Sequence, residues 1–559
     1  MRVVTHHPSN GDTVARLRIP RDDVVVEVVE GPDRFGAATG PFDRYERRLE
    51  VGPDDVVQTI DCALAIPFWW IIFWLPVRSA LRRGPGRSPW WTPPAVLDRR
   101  AATVLGLLAS LAVVDGYVST LLTQTITFAA DELGATRTDQ GIALASVRVG
   151  VVLAIVLASR ADRVGRRRML VGAASAACVT AAAGALAPSL AWLSATQLLT
   201  TGCAGAAGIL IAITAAEEMP AGSRAYAYSL ITMAGGLGAG MCLWVLPAAD
   251  LDVRAWRIVY LVPLLGIPVV AAVARRLPES QRFTRAPRSG AATRARGDRA
   301  ANRNRAPSGS PGMIEPSPAS AASATPQTAS ADSLGLAGAR GDGLPARLLR
   351  GHGRRLALLA GAAFLAALFV APAFQLQNDF LREQQGFSAA RISLFTVVTS
   401  TPASLGIVLG GRLADVRGRR VIGAIGLIGG TLGVVASFAS TGWPLWAWAM
   451  GAAIVGGMTV PALGVYRPEL FPTGLRGRAS ASIEAIALTG SAIGLVTVGR
   501  LVDRWDDYAV PMAIVAAGPL AAAVLVLFAF PETARRELED LNPEDAPPPA
   551  RPAVPNSTQ

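Results

Sequence analysis

Residues 157–170 read LASRADRVGRRRML, and residues 410–423 read GGRLADVRGRRVIG. Each stretch lies between two long apolar segments. Each packs an aspartate (Asp162, Asp415), a glycine (Gly165, Gly418) and several arginines into one tight turn. The two aspartates are 253 residues apart, close to half of the apolar part of the chain. A short charged turn that recurs at half-length marks an internally duplicated membrane protein, and duplicated halves are the building rule of secondary transporters.

Composition agrees. The 559 residues are 51% hydrophobic with a mean hydropathy of +0.38, and they contain more apolar runs near twenty residues than a soluble chain carries. The formal charge of +12 is carried by arginine. Because the arginines cluster between apolar segments, the positive-inside rule accounts for them, and no nucleic-acid partner is expected. Cys62, Cys178, Cys203 and Cys242 all lie in apolar stretches, which suits neither a disulfide framework nor a metal site. No phosphate loop, nucleophile–base arrangement or metal-ligand spacing stands out, so neither an enzyme nor a cofactor is expected. The polar start of the chain shows no cleavable signal peptide.

The expected fold is an all-α membrane protein of twelve transmembrane helices in two pseudo-symmetric six-helix bundles, with an N-terminal extension. Residues 1–58 read as a cytoplasmic extension, a small appended module or a partly ordered tail, in which RDDVVVEVVEG (21–31) suggests one or two short strands. Residues 59–100 hold TIDCALAIPFWWIIFWLPVR (59–78) and a basic linker. Its apolar run is short, interrupted by Pro67 and Pro76, and rich in aromatic rings, which predicts an interfacial or re-entrant segment; a thirteenth span stays open. The bundles occupy 101–276 and 355–530. The first has helices near 101–123, 138–158, 169–188, 191–214, 225–247 and 256–275; the second near 355–376, 389–409, 421–440, 444–466, 477–500 and 509–530. Residues 277–354, rich in Ala, Ser, Pro, Gly and Arg, read as a disordered cytoplasmic linker, and 531–559 as a cytoplasmic tail. The Arg-rich turns define the cytoplasmic face, so both termini of a plasma-membrane monomer are expected inside the cell.

The two opening stretches resemble the signature that joins the second and third helices in the major facilitator superfamily: Gly, three residues, Asp, a basic residue, any residue, Gly, Arg, and a basic residue. Asp162, Arg163, Gly165, Arg166 and Arg167 match it in the first copy, with Ala158 at the first Gly. Gly411, Asp415, Gly418, Arg419 and Arg420 match in the second, with Val416 at the basic position. Two further landmarks repeat in register. EEMPAGSR carries Glu217, Pro220 and Arg224; ELFPTGLR carries Glu469, Pro472 and Arg476. LPESQRF carries Glu279, and FPETARR carries Glu532. These are similar to cytoplasmic motifs of sugar porters and of aromatic-acid and metabolite proton symporters. Physically they describe a cytoplasmic gate in which Arg–carboxylate bonds fasten the halves when that side is shut. At an exposed surface each pair contributes at most about 1 kcal/mol, so only a network of them biases the conformation.

Charges inside the spans are costly, about 2.5–3.5 kcal/mol at mid-membrane on insertion scales, and therefore point to function. Asp115 lies in the first helix, Arg148 in the second and Glu484 in the eleventh. Counted from the inner ends, Asp115 and Arg148 differ in depth by about 6 Å, within reach of an arginine. Their expected pairing would be loosened by a proton on Asp115 or an anionic substrate on Arg148; a structural ion pair is the plainer reading. The DGY of Asp115–Tyr117 resembles the start of the Asp-Gly-aromatic-Asp motif of aromatic-acid symporters, with Val118 at the second Asp. Gln197 stands near where sugar porters carry an arginine. Gln375, Gln377 and Asn378 end the seventh helix and offer hydrogen bonds to a substrate. The fifth helix lacks the internal Gly-Pro pair of drug exporters, which favours uptake. The function expected is alternating-access, proton-coupled uptake of a small organic acid, with protons, substrate and the lipid bilayer as partners. A sugar or polyol symporter, a proton-driven exporter of amphiphilic compounds and a non-transporting sensor stay open.

Overall fold

A computed structural model describes residues 1–83, 91–135, 149–280, 344–387 and 389–545, with isolated positions between 86 and 147. Arg148, most of the expected linker and the end of the tail lie outside the described residues, as do the side chains of Asp162 and Arg163.

The expected strand within 21–31 is one of five, and the extension is a folded module. It is a five-stranded antiparallel sheet, β1 (Arg2–Pro8), β2 (Val26–Gly31), β3 (Arg34–Thr39), β4 (Phe42–Val51) and β5 (Asp55–Leu64), in the order β1-β5-β4-β3-β2. β5 runs through the expected boundary at 58/59 and takes Cys62 into the sheet. Val56, Gln58, Ile60 and Cys62 alternate onto the covered face, beside Tyr45, Arg47 and Leu49 of β4. Helix α1 (Gly11–Leu17) covers one end of that face through Leu17. Helix α2 (Trp70–Arg82) covers the other through Val77, Ala80 and Leu81.

Between the two apolar ends lies a buried polar group. Arg47 donates to both oxygens of Glu27 at 2.8 and 2.7 Å and to the Leu17 carbonyl at 2.6 Å, while the Tyr45 hydroxyl donates to Glu27 at 2.6 Å. The charge is neutralised and its donors are used, which is the condition for keeping it out of water.

Connection to the membrane portion is tight. Past β5 the chain climbs along the first span: the Thr103 hydroxyl donates to the Ala65 carbonyl at 3.0 Å, and Trp69 Nε1 donates to Ser110 Oγ at 2.9 Å. α2 then returns to the sheet, where Arg21 donates to the carbonyls of Ala80, Leu81 and Arg83 at its end, at 3.0, 3.2 and 2.8 Å. Its thirteen residues reach about 20 Å, short of a hydrocarbon core. Trp70, Ile71, Ile72 and Leu75 stay exposed on its outer face.

The described residues of the membrane portion are helical apart from short turns. The first half comprises α3 (Arg99–Leu133), α4 (Gly150–Val164), α5 (Arg166–Ala183), α6 (Leu190–Glu218), α7 (Arg224–Val245) and α8 (Trp256–Arg276). The second comprises α9 (Leu344–Gln375), α10 (Leu394–Arg417), α11 (Arg419–Phe438), α12 (Gly442–Glu469), α13 (Arg476–Trp505) and α14 (Ala509–Ala529). Eleven of these segments are long and apolar enough to cross a membrane, and α4 is a shorter apolar helix before which only isolated residues are described. α3 extends past its expected end to include Asp131 and Glu132, because Glu132 accepts from Trp256 Nε1 at 2.7 Å and from Arg257 at 2.9 Å and so stays folded onto α8.

Packing repeats between the halves. α3 lies along α7 as α9 lies along α13, and α5 along α6 as α11 along α12. The halves meet where α7 packs on α10 and α4 on α13, again a symmetric pair. Gly411 of α10 permits that contact: a Cβ there would lie 2.8 Å from the Ala225 carbonyl of α7.

Candidate functional site

The two opening stretches form matching corners. Gly165 and Gly418 have φ of 120° and 106°, a region that disfavours any side chain. Each corner turns directly into a helix whose first N–H groups are capped by a carboxylate of the same half. Arg166 and Arg167 N–H donate to Glu279 at 2.9 and 3.2 Å; Arg419 and Arg420 N–H donate to Glu532 at 3.0 and 3.3 Å. Glu279 and Glu532 therefore brace α5 and α11 within their own bundles rather than bridging the halves. A negative charge at a helix N-terminus is stabilised there by the orphan amides and the helix dipole.

The bridging residues include Arg166, Glu217, Arg224, Asp415, Glu469 and Arg476. Arg476, opening α13, donates to Glu217 at the end of α6 at 2.7 Å. Arg224, opening α7, lies 3.5 Å from Glu469 at the end of α12. The second pair is the first with the halves exchanged. Arg166 joins Glu217 at 3.5 Å and donates to the Thr473 carbonyl of the other half at 2.6 Å. Arg419 is bonded to Glu469 and donates to Asp415 at 3.1 Å. Asp415 in turn accepts from the N–H groups of Ala225 and Tyr226 at 3.3 and 2.9 Å, capping α7 of the opposite bundle.

These groups are buried, not exposed: Arg224 is 1% accessible, and Arg419, Arg476, Asp415 and Glu469 are 0%. The weak-pair energetics of a surface therefore do not apply. Removing one partner of a buried pair typically costs about 3–5 kcal/mol.

The expected interior residues are not gathered in one place. Asp115 is half-buried on α3, with its carboxylate against Gly208 of α6, where a Cβ would lie 3.3 Å away. Among the described residues it makes no hydrogen bond or ion pair. Gln197 lies eleven residues before Gly208 on α6, about 16 Å away along the helix. It is buried within the first bundle beside Gly184, which also meets the Tyr260 ring. Gly150, the first described residue of α4, packs on Leu198 and Gly202 of α6, about 9 Å along that helix from the level of Asp115. Gln375 ends α9; Gln377 and Asn378 begin a short helix, Gln377–Glu383, that leads away from it.

Glu484 has a partner the sequence did not suggest. Arg467 Nη1 of α12 donates to Glu484 Oε2 of α13 at 2.5 Å. Arg467 lines a cavity of about 340 Å³ walled by α9, α11, α12 and α13 and by Tyr228 of α7 from the other bundle, and Glu484 follows Ile483 of that wall. In sequence Arg467 looks like one more arginine of the loop before α13; the fold turns it inward. A second cavity, about 360 Å³ and almost wholly apolar, lies between α2, α3 and α7, with Trp91 and Thr92 in its wall.

A family model for the major facilitator superfamily matches residues 108–380 and 356–556, most of the chain. The chain belongs to the major facilitator superfamily. It is an integral membrane protein of that family's transporter fold, with a sheet appended at its N-terminus. Solved structures similar to it include the proton:xylose symporter XylE bound to 6-bromo-6-deoxy-D-glucose, at 16% identity and a TM-score of 0.60 over 79% of this chain and 98% of that one. A double-Trp variant of XylE scores 0.62 at the same identity and coverage. The human organic anion transporter MFSD10 (TETRAN) is similar at 14% identity and a TM-score of 0.53, covering 78% of this chain and 100% of its own. These likenesses establish the fold. No curated protein matches in sequence.

Proposed function

We propose that this superfamily member takes up a small organic acid together with a proton by alternating access, with its arginine-rich face in the cytoplasm of the plasma membrane. The observation that carries the transport reading is the pair of symmetry-related, buried cross-bundle contacts, Arg476–Glu217 and Arg224–Glu469. A permanent join between two bundles is served best by apolar packing. Buried ion pairs at a splitting interface lose little when water enters, because hydration replaces the partner, so closed and open states stay close in energy. That is the condition for an inner gate a ligand can shift.

Proton coupling is assigned to Asp115. A carboxylate within a span, held by no cation among the described residues, is costly to keep there and points to a task. Arg148, two positions before Gly150 in the sequence, supplies the positive charge that draws the acid in from the outer side. The organic anion transporter named above is consistent with an anionic cargo, and XylE with a proton as the coupling ion.

Proteoliposomes with an imposed inward proton gradient test this with labelled benzoate, succinate and xylose. Carboxylate accumulation above equilibrium is expected, with Asp115→Asn abolishing accumulation while sparing exchange. Accumulation of xylose alone would transfer the assignment to a sugar symporter, and binding without exchange would make the protein a sensor. Unchanged accumulation in Asp115→Asn removes Asp115 from coupling; unchanged uptake in Arg148→Gln removes Arg148 from substrate binding.

A further inference from the structure

We infer that Arg467 is an inner anion-binding residue of the transport path, occupied by Glu484 when no substrate is present and by the substrate carboxylate when one is. The inference rests on the organic-acid reading above and deepens it by naming the residue of the second bundle that takes the cargo.

Arg467 and Glu484 sit on different helices of one bundle, with side chains 34% and 41% accessible, beside the 340 Å³ cavity. A pair kept for stability would be buried and multiply bonded, as the neighbouring gate residues are. This pair makes one contact at 2.5 Å and leaves the rest of the guanidinium open to the cavity. A guanidinium with unused donors is the side chain best suited to a bidentate carboxylate. Most of the remaining cavity wall is apolar, from Ala363, Ala366, Ile483 and Ala487 among others, with hydroxyls only from Thr459 and two tyrosines, and it fits a small hydrocarbon body behind one acidic group. Tyr228 closes the opposite side from the first bundle, with Arg467 and Glu484 as its charged neighbours, and offers a hydroxyl.

Position links this site to the gate. Arg467 is two residues before Glu469 on α12, and Tyr228 is one turn beyond Arg224 on α7. Glu469 and Arg224 form one of the cross-bundle pairs. The two helices approach closely at Gly464, where a Cβ would come within 2.5 Å of the Tyr228 ring. An anion taken by Arg467 therefore lies within about one turn of the contact that must part, on the same two helices. Displaced Glu484 turns toward the cavity water.

The test uses the purified full-length protein and its thermal stability against rising benzoate, succinate and xylose. Glu484→Gln frees Arg467 and is expected to lower the half-saturating carboxylate concentration up to about fivefold, the scale of a partly exposed ion pair. Arg467→Gln is expected to abolish the carboxylate shift, and Arg467→Lys to retain only part of it. The Arg467→Gln/Glu484→Gln double variant leaves no lone charge and serves where the single variant folds poorly; it too should show no shift. A full carboxylate shift in Arg467→Gln or in the double variant overturns the inference, as does the absence of any carboxylate shift in both wild type and Glu484→Gln. Uptake separates this from the parent reading. A shift lost in Arg467→Gln without proton-driven accumulation by wild type ends the symport reading and leaves Arg467 in place. Wild-type accumulation that persists in Arg467→Gln does the reverse.

Discussion

At Glu469 one carboxylate serves two arginines of different bundles, Arg224 and Arg419, all fully buried. Replacing it with glutamine leaves two guanidinium groups facing an amide in a dry interface. About 3–5 kcal/mol of the closed arrangement is then lost, and the population shifts toward the open one by at least two orders of magnitude. Ser229 reports this. It is inaccessible on α7 against Gly411 of α10, so Ser229→Cys in a background without native cysteines is shielded while the face is shut. Glu469→Gln should make it react with a membrane-impermeant maleimide from the arginine-rich side; continued protection would mean that Glu469 does not hold the face closed. Much of this site was legible in the sequence, because Asp, Gly, Glu and Arg recur at fixed spacing in both halves. What could not be read was the partner of each residue. Glu279 and Glu532 bond to backbone amides at helix starts, Asp415 to amides of the other bundle, and a backbone amide leaves no mark on a sequence. Arg467 was hidden for another reason: it is two residues from the gate motif, and only the packing of α12 shows that it points to the cavity.

At the scale of the element, the spans were readable and, apart from β2, the sheet was not, for one physical reason. A span must satisfy its backbone internally and meet lipid with apolar side chains, which leaves a long uniform run. The covered face of the sheet is instead interrupted by Arg47, Glu27 and Gln58, so β4, FDRYERRLEV, reads as a polar tail. The same sheet explains α2. An amphipathic helix of this length is marginal alone, and Arg21 anchors its last carbonyls while Val77, Ala80 and Leu81 fill the sheet's end. Arg21→Leu removes the three charge-assisted bonds to α2 and the two to the buried Asp23, and leaves the apolar contact. Hydrogen exchange of amides in 70–82 should accelerate roughly tenfold or more, while β5 amides keep their protection. Equal protection of α2 in the variant would show that its apolar face alone holds it.

At the scale of the molecule, the appended region is wired into the moving parts. The chain ahead of the first span crosses the bundle interface. Trp91's carbonyl accepts from the Tyr226 hydroxyl at 2.5 Å, Ala95 is bonded both ways to Ser223 at 2.8 and 2.9 Å, and Arg412 of α10 donates to the carbonyls of Pro89, at 3.0 Å, and Thr92. The first contacts hold this strap to α7 in one bundle, and Arg412 holds it to the other. The strap thus spans the α7–α10 contact that the Asp415 cap also closes, and parting the halves on this face breaks the Arg412 bonds. Hydrogen bonds to a charged group contribute about 1.5–3 kcal/mol each. Arg412→Leu should therefore favour opening and raise the initial rate of substrate counterflow roughly tenfold wherever opening limits turnover, with the sheet's melting transition unchanged. An unchanged counterflow rate, with Ser229→Cys no more reactive than before, would confine Arg412 to local packing and leave Arg476–Glu217 and Arg224–Glu469 as the contacts that set the closed state.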